Sequence, residues 1–427
     1  MNDAQSANGY FVVHLQFLPP SDQARPFGVR ACCGWDSRGP QSFADNRWLA
    51  CYKKPMRSLI SLALLLCLAA TASSADSKSS QPLSLGSQAP DFKLPGVDGR
   101  QHSLKDFARA KFLVVVFTCN HCPTAQFYEE RLMQLVADYQ SKGVALVAIS
   151  PNDPESVRLN ELGYTDLSDS FEEMKIRARD RKFNFPYLYD GKDQKVSRAY
   201  GPTATPHAFV FDQQRRLRYA GRIDDSERPE YVKVHDLRNA LDALLKGGEP
   251  EVTQTRAFGC SIKWAGKVED VKRYMEKLAA LPVSVEPVDA DGLKALRKND
   301  SGKLRLVNFW ATWCGPCVAE FPSLVEIHRM YGHRAFEVVT VAANFPDEKK
   351  EVLAFLQKQQ AASRNLIFGS TDKYKLIEAF DKNWDGSLPY TVLISPESEV
   401  LYRKHGEIDA LELKRTIVKS LKYDRKQ

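Results

Sequence analysis

The chain has 427 residues, of which 43% are hydrophobic and 26% are charged, a composition typical of soluble globular proteins with two or three domains. Its formal net charge of +7 comes from 60 basic and 53 acidic residues. The basic residues are spread along the chain without a dense block and without a nucleic-acid-binding motif. We therefore expect no nucleic acid among its partners.

Residues 56–75 have the pattern of a secretory signal peptide. A basic residue follows Met56, an apolar run comes next, and the small residues Ser73 and Ala75 occupy the positions that precede cleavage. The apolar run is shorter than the roughly 20 residues that a membrane span needs, so we expect no transmembrane span in the mature chain. Residues 1–55 show no periodicity, and we interpret them as a non-native upstream extension. The predicted location is periplasmic or otherwise extracytoplasmic.

Cleavage at this site leaves five of the nine cysteines, and four of the five form two CxxC pairs, Cys119 with Cys122 and Cys314 with Cys317. Large domains have enough core to fold without disulfide staples. A disulfide with this spacing closes a very short loop and stabilises a fold little. The pairs therefore suit redox cycling or metal binding better than stapling.

The same order of signals occurs twice along the chain. In each copy an apolar strand leads into the CxxC pair, a helix follows, a second apolar strand comes next, and a proline precedes a closing hairpin. Strand, helix and strand in this order predict a parallel βαβ unit and an α/β fold. We divide the chain into residues 84–250, a linker with a helix at 251–282, and residues 283–425.

The motif from Trp313 to Cys317, WCGPC, resembles thioredoxin, and with Glu320 it is similar to the extracytoplasmic reductants of that superfamily. The resemblance implies a central mixed β-sheet flanked by helices and a cis-proline at Pro389 beside the dithiol. A helix start lowers the pKa of a thiol, so Cys314 is the expected nucleophile and Cys317 the resolving thiol. Glu320 is interpreted either as a group that tunes the thiols or as an exposed glutamate of the first helical turn.

The first copy resembles the redoxin or peroxiredoxin-like (AhpC/TSA-type) branch of the same superfamily, in its opening at residues 88–92 and in the proline element at Pro206. Aligned on thioredoxin, Cys119 attacks and Cys122 resolves. Aligned on peroxiredoxins, Cys122 is the peroxidatic cysteine, and Cys119 replaces a threonine that the peroxidases use. This replacement favours disulfide exchange over peroxide reduction.

Two further residues are candidates for the first centre. His121 lies between the paired cysteines, where a cation would stabilise a thiolate, and the alternative is a solvent-facing histidine without a role. Cys260 resembles a cysteine that follows the last helix in this peroxiredoxin-like group. It is interpreted either as a third redox thiol or as a packing residue.

The sequence thus predicts an exported thiol:disulfide oxidoreductase that works through two CxxC sites. Its expected partners are extracytoplasmic protein disulfides and a membrane or soluble thiol-electron donor. No metal is expected, and no cofactor besides the redox-active disulfides Cys119–Cys122 and Cys314–Cys317. Two alternatives remain: a thiol peroxidase with its own fused thioredoxin reductant, and a copper-handling protein that uses Cys119, His121 and Cys122.

Overall fold

The computed structural model describes residues 81–422. The predicted upstream extension, the predicted signal peptide and the last five residues lie outside the described part of the chain. Within the described part, no helix combines the length and the apolarity that a membrane crossing requires. The described residues form two α/β folds in succession, each with a mixed β-sheet flanked by helices.

The first fold is built on a sheet with strand order β5-β4-β3-β6-β7, in which β3, β4 and β5 run parallel and β6 and β7 are antiparallel. A small hairpin, β1 and β2, precedes it. The elements are β1 (Lys93–Pro95), β2 (Gln101–Ser103), β3 (Phe112–Phe117), α1 (Pro123–Tyr139), β4 (Val144–Ser150), α2 (Phe171–Arg181), β5 (Tyr187–Tyr189), α3 (Lys195–Tyr200), β6 (His207–Phe211), β7 (Leu217–Gly221) and α4 (Asp236–Leu245).

The central strand β3 shows why this sheet forms. Its sequence FLVVVF contains β-branched and aromatic residues that favour strands, and every residue after Phe112 is buried. Alternate side chains enter two hydrophobic clusters, Val114 and Val116 on one face and Leu113 and Val115 on the other. A strand that is buried on both faces has a continuous apolar sequence. The cysteine motif follows directly at the carboxyl end of this strand.

The second fold has a sheet with strand order β13-β12-β9-β10-β11-β8, in which β8 to β11 run parallel and β12 and β13 are antiparallel. The helix α5 (Val268–Ala279) joins the two folds. The elements of the second fold that follow it are β8 (Glu286–Val288), α6 (Ala290–Lys298), β9 (Leu304–Trp310), α7 (Gly315–Tyr331), β10 (Phe336–Ala342), α8 (Lys349–Lys358), β11 (Arg364–Phe368), α9 (Lys373–Phe380), β12 (Tyr390–Ile394), β13 (Val400–His405) and α10 (Ala410–Leu421).

The two folds share packed residues. Val157 and Leu162 of the first fold belong to a hydrophobic cluster of the second. The Tyr331 hydroxyl at the end of α7 donates a hydrogen bond of 2.7 Å to the carbonyl oxygen of Thr165. Arg415 on α10 forms an ion pair of 3.2 Å with Asp166. The segment between β4 and α2 therefore docks the first fold onto the second.

The first part of the predicted linker also belongs structurally to the first fold. Backbone hydrogen bonds join Ala220 of β7 to Thr253 and Thr255, and they join Thr205 to Cys260. The connection to α5 therefore begins only after a stretch that lies against the first sheet.

Candidate functional site: two dithiol centres

Both cysteine pairs lie at the same place in their folds. β3 and β9 each run into a CxxC motif, and each is paired with the strand that follows a proline, β6 and β12. The peptide bonds Thr205–Pro206 and Leu388–Pro389 are both cis. Because the paired strands are adjacent, each cis-proline lies beside the cysteine motif of its own fold. The topology therefore builds two separate dithiol centres.

In the second centre, Cys314 and Cys317 form a disulfide bond. Cys314 is the N-cap residue of α7, and its sulfur accepts a hydrogen bond of 3.3 Å from the backbone N–H of Cys317. Unpaired amides and the positive end of the helix dipole stabilise a thiolate at this position. The neighbouring Trp313 is 63% exposed and so provides a surface beside the disulfide.

Glu320 is a buried residue rather than an exposed one of the first helical turn. Its carboxylate accepts hydrogen bonds from the Asn308 side chain at 2.9 Å and from the Ile408 backbone at 2.8 Å. Burial raises the pKa of Glu320 above its ordinary value. Since it lies three residues after Cys317, it shares a helix face with that cysteine.

In the first centre the helix begins three residues later relative to the cysteines. Cys122, the second cysteine of the pair, is the N-cap residue of α1, and its sulfur accepts a hydrogen bond of 3.4 Å from the Ala125 backbone. Cys119 lies before the helix. Both are free thiols and both are buried, Cys119 being 3% exposed and Cys122 0%. The stabilising helix start therefore belongs to Cys122 here.

His121 is buried and forms an ion pair with Asp169, in contrast to the solvent-facing alternative. Its Nδ1 atom lies 2.6 Å from an Asp169 oxygen and 3.6 Å from the Cys119 sulfur. Burial disfavours the imidazolium, but the Asp169 charge outweighs burial and raises the pKa of His121. Burial likewise opposes the charge of Asp169, whose pKa is lowered by His121 and by its hydrogen bonds.

The pKa values of the two thiols of this pair are shifted in opposite directions. Burial opposes ionisation of Cys122, but hydrogen bonds from the Cys119 and Cys260 thiols and the charge of His121 lower its pKa well below the ordinary value. Burial, Cys122 and the Asp169 charge raise the pKa of Cys119. Of the two thiols, Cys122 is therefore the one whose ionisation the centre favours.

Cys260 and Thr205 complete this centre. The Cys260 backbone N–H lies 3.3 Å from the Cys122 sulfur, and the Thr205 hydroxyl lies 3.2 Å from the Cys119 sulfur. The carbonyl oxygen of Thr205 is 3.2 Å from the Cys122 sulfur and accepts a hydrogen bond from it when Cys122 is a thiol. Three cysteines and the residue before the cis-proline thus lie in mutual contact.

Asp169 and Asn152 are site residues that the sequence analysis did not identify. Asp169 accepts hydrogen bonds from the backbone N–H groups of Asn120 and His121 and from the Asn152 side chain at 2.7 Å. In the sequence, Asp169 lies one residue before Ser170, which caps α2, so it resembles an ordinary helix-start residue. No motif links it to a cysteine pair that lies 47 to 50 positions earlier.

The ligand atoms of Cys119, His121 and Asp169 lie within 4.8 Å of one another, a spacing that a metal ion could use. The Nδ1 atom of His121 is engaged by Asp169, however, and its buried Nε2 atom has no hydrogen-bond partner. Its one sulfur ligand, the thiolate of Cys119, would suit a soft metal such as Cu(I).

Comparison with known proteins places both folds in one family. Residues 85–220 and 281–403 each match the AhpC/TSA family, and together the two segments span more than half of the chain. The chain therefore belongs to the AhpC/TSA family, within the thioredoxin superfamily. Its similarity to proteins named thiol-disulfide oxidoreductase makes it an oxidoreductase.

The relatives of this oxidoreductase include proteins named for thiol-disulfide exchange. The thiol-disulfide oxidoreductase ResA of Geobacillus thermodenitrificans is 28% identical over 180 residues, which are 42% of this chain and 92% of that protein. ResA of Bacillus subtilis is 31% identical over 113 residues, 26% of this chain and 59% of that protein.

Among solved structures, a hypothetical protein from Sinorhizobium meliloti, SMc02350, is 37% identical. The alignment covers 43% of this chain and 97% of that one, with a TM-score of 0.39. An uncharacterized conserved protein from Geobacillus kaustophilus is 40% identical over 42% of this chain and 92% of its own, with a TM-score of 0.38.

Proposed function

We propose that the protein is an exported thiol:disulfide oxidoreductase that exchanges dithiol and disulfide equivalents with extracytoplasmic proteins through both CxxC centres. The observation that carries the proposal is the repeated arrangement of a cysteine pair at a helix start beside a cis-proline. The names of the ResA relatives, thiol-disulfide oxidoreductases, support the same chemistry. The electron donor in this proposal is a membrane-bound or soluble dithiol protein.

In each centre the reaction is a pair of thiol-disulfide exchanges. The thiolate at the helix start attacks a sulfur of the substrate disulfide and forms a mixed disulfide, and the departing substrate sulfur takes up a proton. The other cysteine of the pair then attacks the protein's own sulfur in the mixed disulfide and releases the reduced substrate. At the second centre the attacking thiolate is Cys314 and the resolving thiol is Cys317. The protein leaves this cycle oxidised, and the donor dithiol reduces it again.

Reduction of insulin by dithiothreitol tests the second centre. We expect Cys314→Ala to lower the rate about tenfold or more, because the capped thiolate is lost. Cys122→Ala, measured in parallel, removes the helix-start thiolate of the first centre and reports the contribution of that centre to the rate. A Cys314→Ala chain with full activity would contradict the assignment.

Mechanism-based trapping identifies the substrates. Cys317→Ala and Cys119→Ala, each in a separate chain, remove the resolving thiol and are expected to accumulate mixed disulfides with different partner proteins. Export is tested by sequencing the amino terminus of the native protein from the extracytoplasmic fraction. We expect a first residue of Asp76, and peptides from before Met56 would contradict the proposed start.

A thiol peroxidase is the second candidate, and one observation favours it: the helix start and the lowered pKa belong to Cys122, the peroxidatic position of the peroxiredoxin alignment. The proposal of disulfide exchange predicts slow consumption of hydrogen peroxide. Rapid consumption that is lost in Cys122→Ser but kept in Cys119→Ser would reverse the ranking of the two functions.

The grouping of Cys119, His121 and Asp169 favours testing copper as well. An anaerobic titration of the reduced chain with Cu(I) in the presence of a competing chelator measures this directly. Disulfide exchange as the sole function predicts no binding that survives the chelator.

A further inference from the structure

Residues 258–262, from Phe258 to Ile262, form a short segment that we call the strap. It lies across the first dithiol. An antiparallel bridge pairs Cys260 with Thr205, through hydrogen bonds of 2.9 Å from Thr205 N to Cys260 O and 3.3 Å from Cys260 N to Thr205 O. Gly259 has a φ of +138°. A Cβ atom there would lie 1.9 Å from the Thr205 carbonyl oxygen, so the strap approaches this backbone as closely as only glycine allows.

The strap occupies a backbone edge that an outside peptide could use. Thr205 is the residue before the cis-proline, and an extended peptide that adds to a sheet edge pairs through just such backbone groups. In the second fold, the corresponding residue is Leu388, and no segment within residues 81–422 pairs with its backbone. The first centre is therefore covered by its own chain at the place where the second centre is uncovered.

The strap also brings a third sulfur to the pair. Cys260 packs against the cluster formed by Cys119 and Cys122, and its backbone N–H lies 3.3 Å from the Cys122 sulfur. Cys119 and Cys122 are both buried, whereas Cys260 is partly exposed. Beyond the strap, the Lys263 backbone N–H donates to Asn152 at 2.9 Å, and the amide of Asn152 binds Asp169. The position of the strap is thereby tied to the carboxylate that orients His121.

We propose that Cys260 is a third redox thiol, which relays a disulfide between the buried Cys119–Cys122 pair and an outside thiol. This inference rests on the proposed function of the first centre and adds its route to the surface. Cys260 contacts the reacting sulfur Cys122 and therefore acts as a catalytic residue in the relay.

The relay is an exchange within one chain and needs no added oxidant. Starting from the Cys119–Cys122 disulfide, the Cys260 thiolate attacks the Cys122 sulfur. The Cys122–Cys260 bond forms, the Cys119–Cys122 bond breaks, and Cys119 takes up the proton that Cys260 lost. A donor thiolate from outside then attacks the Cys260 sulfur and releases Cys122, and a second donor thiol resolves the mixed disulfide. Two electrons pass from the donor dithiol to the chain.

The charge distribution of the centre suits the second exchange, in which Cys122 is the leaving sulfur. A sulfur leaves faster when the pKa of its thiol is low, and Cys122 is the thiol whose pKa the centre lowers. Its thiolate is stabilised by the helix start and by His121. Attack at Cys260 therefore expels the best leaving group among the three sulfurs.

Disulfide mapping of the full mature chain tests the relay. In a chain with Cys314→Ser and Cys317→Ser, which silences the second centre, the first centre is oxidised, quenched with acid, alkylated and mapped by mass spectrometry. We expect both Cys119–Cys122 and Cys122–Cys260 disulfides. Adding Cys119→Ser should convert most molecules to Cys122–Cys260. If Cys260 stays open to alkylation in that variant, the relay is wrong.

Kinetics supply the second measurement. Reduction of the oxidised first centre by an outside dithiol should slow about tenfold in Cys260→Ser and in Cys260→Ala. Ser261→Ala, in the same strap, should keep the unsubstituted rate and is the matched control. If the Cys260 variants form the Cys119–Cys122 disulfide and are reduced at the unsubstituted rate, the relay fails while the proposed function stands. If no Cys119–Cys122 disulfide forms in the chain with Cys260 intact, both fail.

Discussion

Two buried carboxylates serve the two dithiol centres in different ways. Glu320 is held by neutral donors, Asn308 and a backbone N–H, and burial raises its pKa above that of an exposed glutamate. Asp169 is paired with His121 and stays ionised. The second centre therefore has a carboxyl group with a raised pKa, whereas the first has a fixed ion pair that stabilises a thiolate.

The ion pair leads to a prediction for Asp169→Asn. The amide keeps an oxygen for the backbone N–H groups but removes the charge that favours the imidazolium, so His121 becomes neutral near pH 7 and the pKa of Cys122 rises by about one unit or more. Ultraviolet absorbance of the thiolate across a pH titration measures it in a chain without the second pair. Asp166→Asn, which removes a carboxylate bound to Arg177 and Arg415 instead, is the control. An unchanged Cys122 titration in Asp169→Asn would contradict the role of the ion pair.

His207, which follows the cis-proline of the first fold, predicts a pH dependence of stability. Burial lowers its pKa to about 4. An unfolded histidine titrates near 6.5, so between these values the unfolded chain binds a proton that the folded chain does not, and acid destabilises the fold. The loss grows as pH falls from about 6.5 and reaches about 3 kcal/mol near pH 4.

His207→Asn should remove this part of the acid sensitivity, because the amide oxygen can still accept the Thr203 N–H that His207 Nδ1 accepts at 3.2 Å. Urea unfolding across this pH range measures the difference. His405→Asn, at an exposed histidine, is expected to leave the pH dependence unchanged. Parallel curves for the unsubstituted chain and His207→Asn would show that His207 does not contribute.

At the scale of elements, the start of each active-site helix decides which sulfur is stabilised. In α7 the first cysteine of the pair, Cys314, caps the helix, and in α1 the second, Cys122, does so. Pro123 stands in the first turn of α1, where its missing N–H leaves no hydrogen bond unmade. One motif spacing thus yields two different nucleophile positions.

The strap is the element whose removal is most easily tested. Gly259→Ala places a Cβ against the Thr205 carbonyl at a φ that alanine rarely adopts, and we expect a loss of roughly 1–3 kcal/mol in unfolding free energy. Displacement of the strap should also speed the alkylation of Cys122. Gly266→Ala, where a Cβ meets no atom within 4 Å, is the matched control. Equal alkylation rates for the two variants would mean that the strap does not cover the dithiol.

Elements formed by local sequence could be predicted, and contacts between distant segments could not. The apolar strand expected before the first CxxC pair is present as β3, because a continuous apolar run of this length favours a buried strand. The expected cis-prolines at Pro206 and Pro389 are also cis in the structure. The contact of Cys260 with Cys122 spans 138 positions, and no periodicity encodes it. The shifted start of α1 depends on Pro123, and motif spacing alone could not distinguish it from the start of α7.

At the scale of the whole molecule, the docking of the two folds predicts coupled stability. Tyr331→Phe leaves the buried carbonyl of Thr165 without its partner, which costs about 1–3 kcal/mol. Hydrogen exchange followed by mass spectrometry should show faster exchange both in the docking segment and at the end of α7. Tyr200→Phe, which loses a hydroxyl bound to the Pro90 carbonyl within the first fold, should affect the first fold alone. Confinement of the Tyr331→Phe effect to the second fold would show that the folds are not coupled.

Val157 and Leu162 pack in a hydrophobic cluster of the second fold, although in the sequence they lie within the first fold. The peptide between α4 and α5 is therefore not what keeps the halves together. A protease that nicks the exposed glycines Gly247 and Gly248 should leave two fragments that elute as one species on gel filtration. The second half produced by itself would present the groove that these side chains leave, an apolar surface that favours aggregation. Production of the two halves in one cell, on separate messages, should restore a soluble pair.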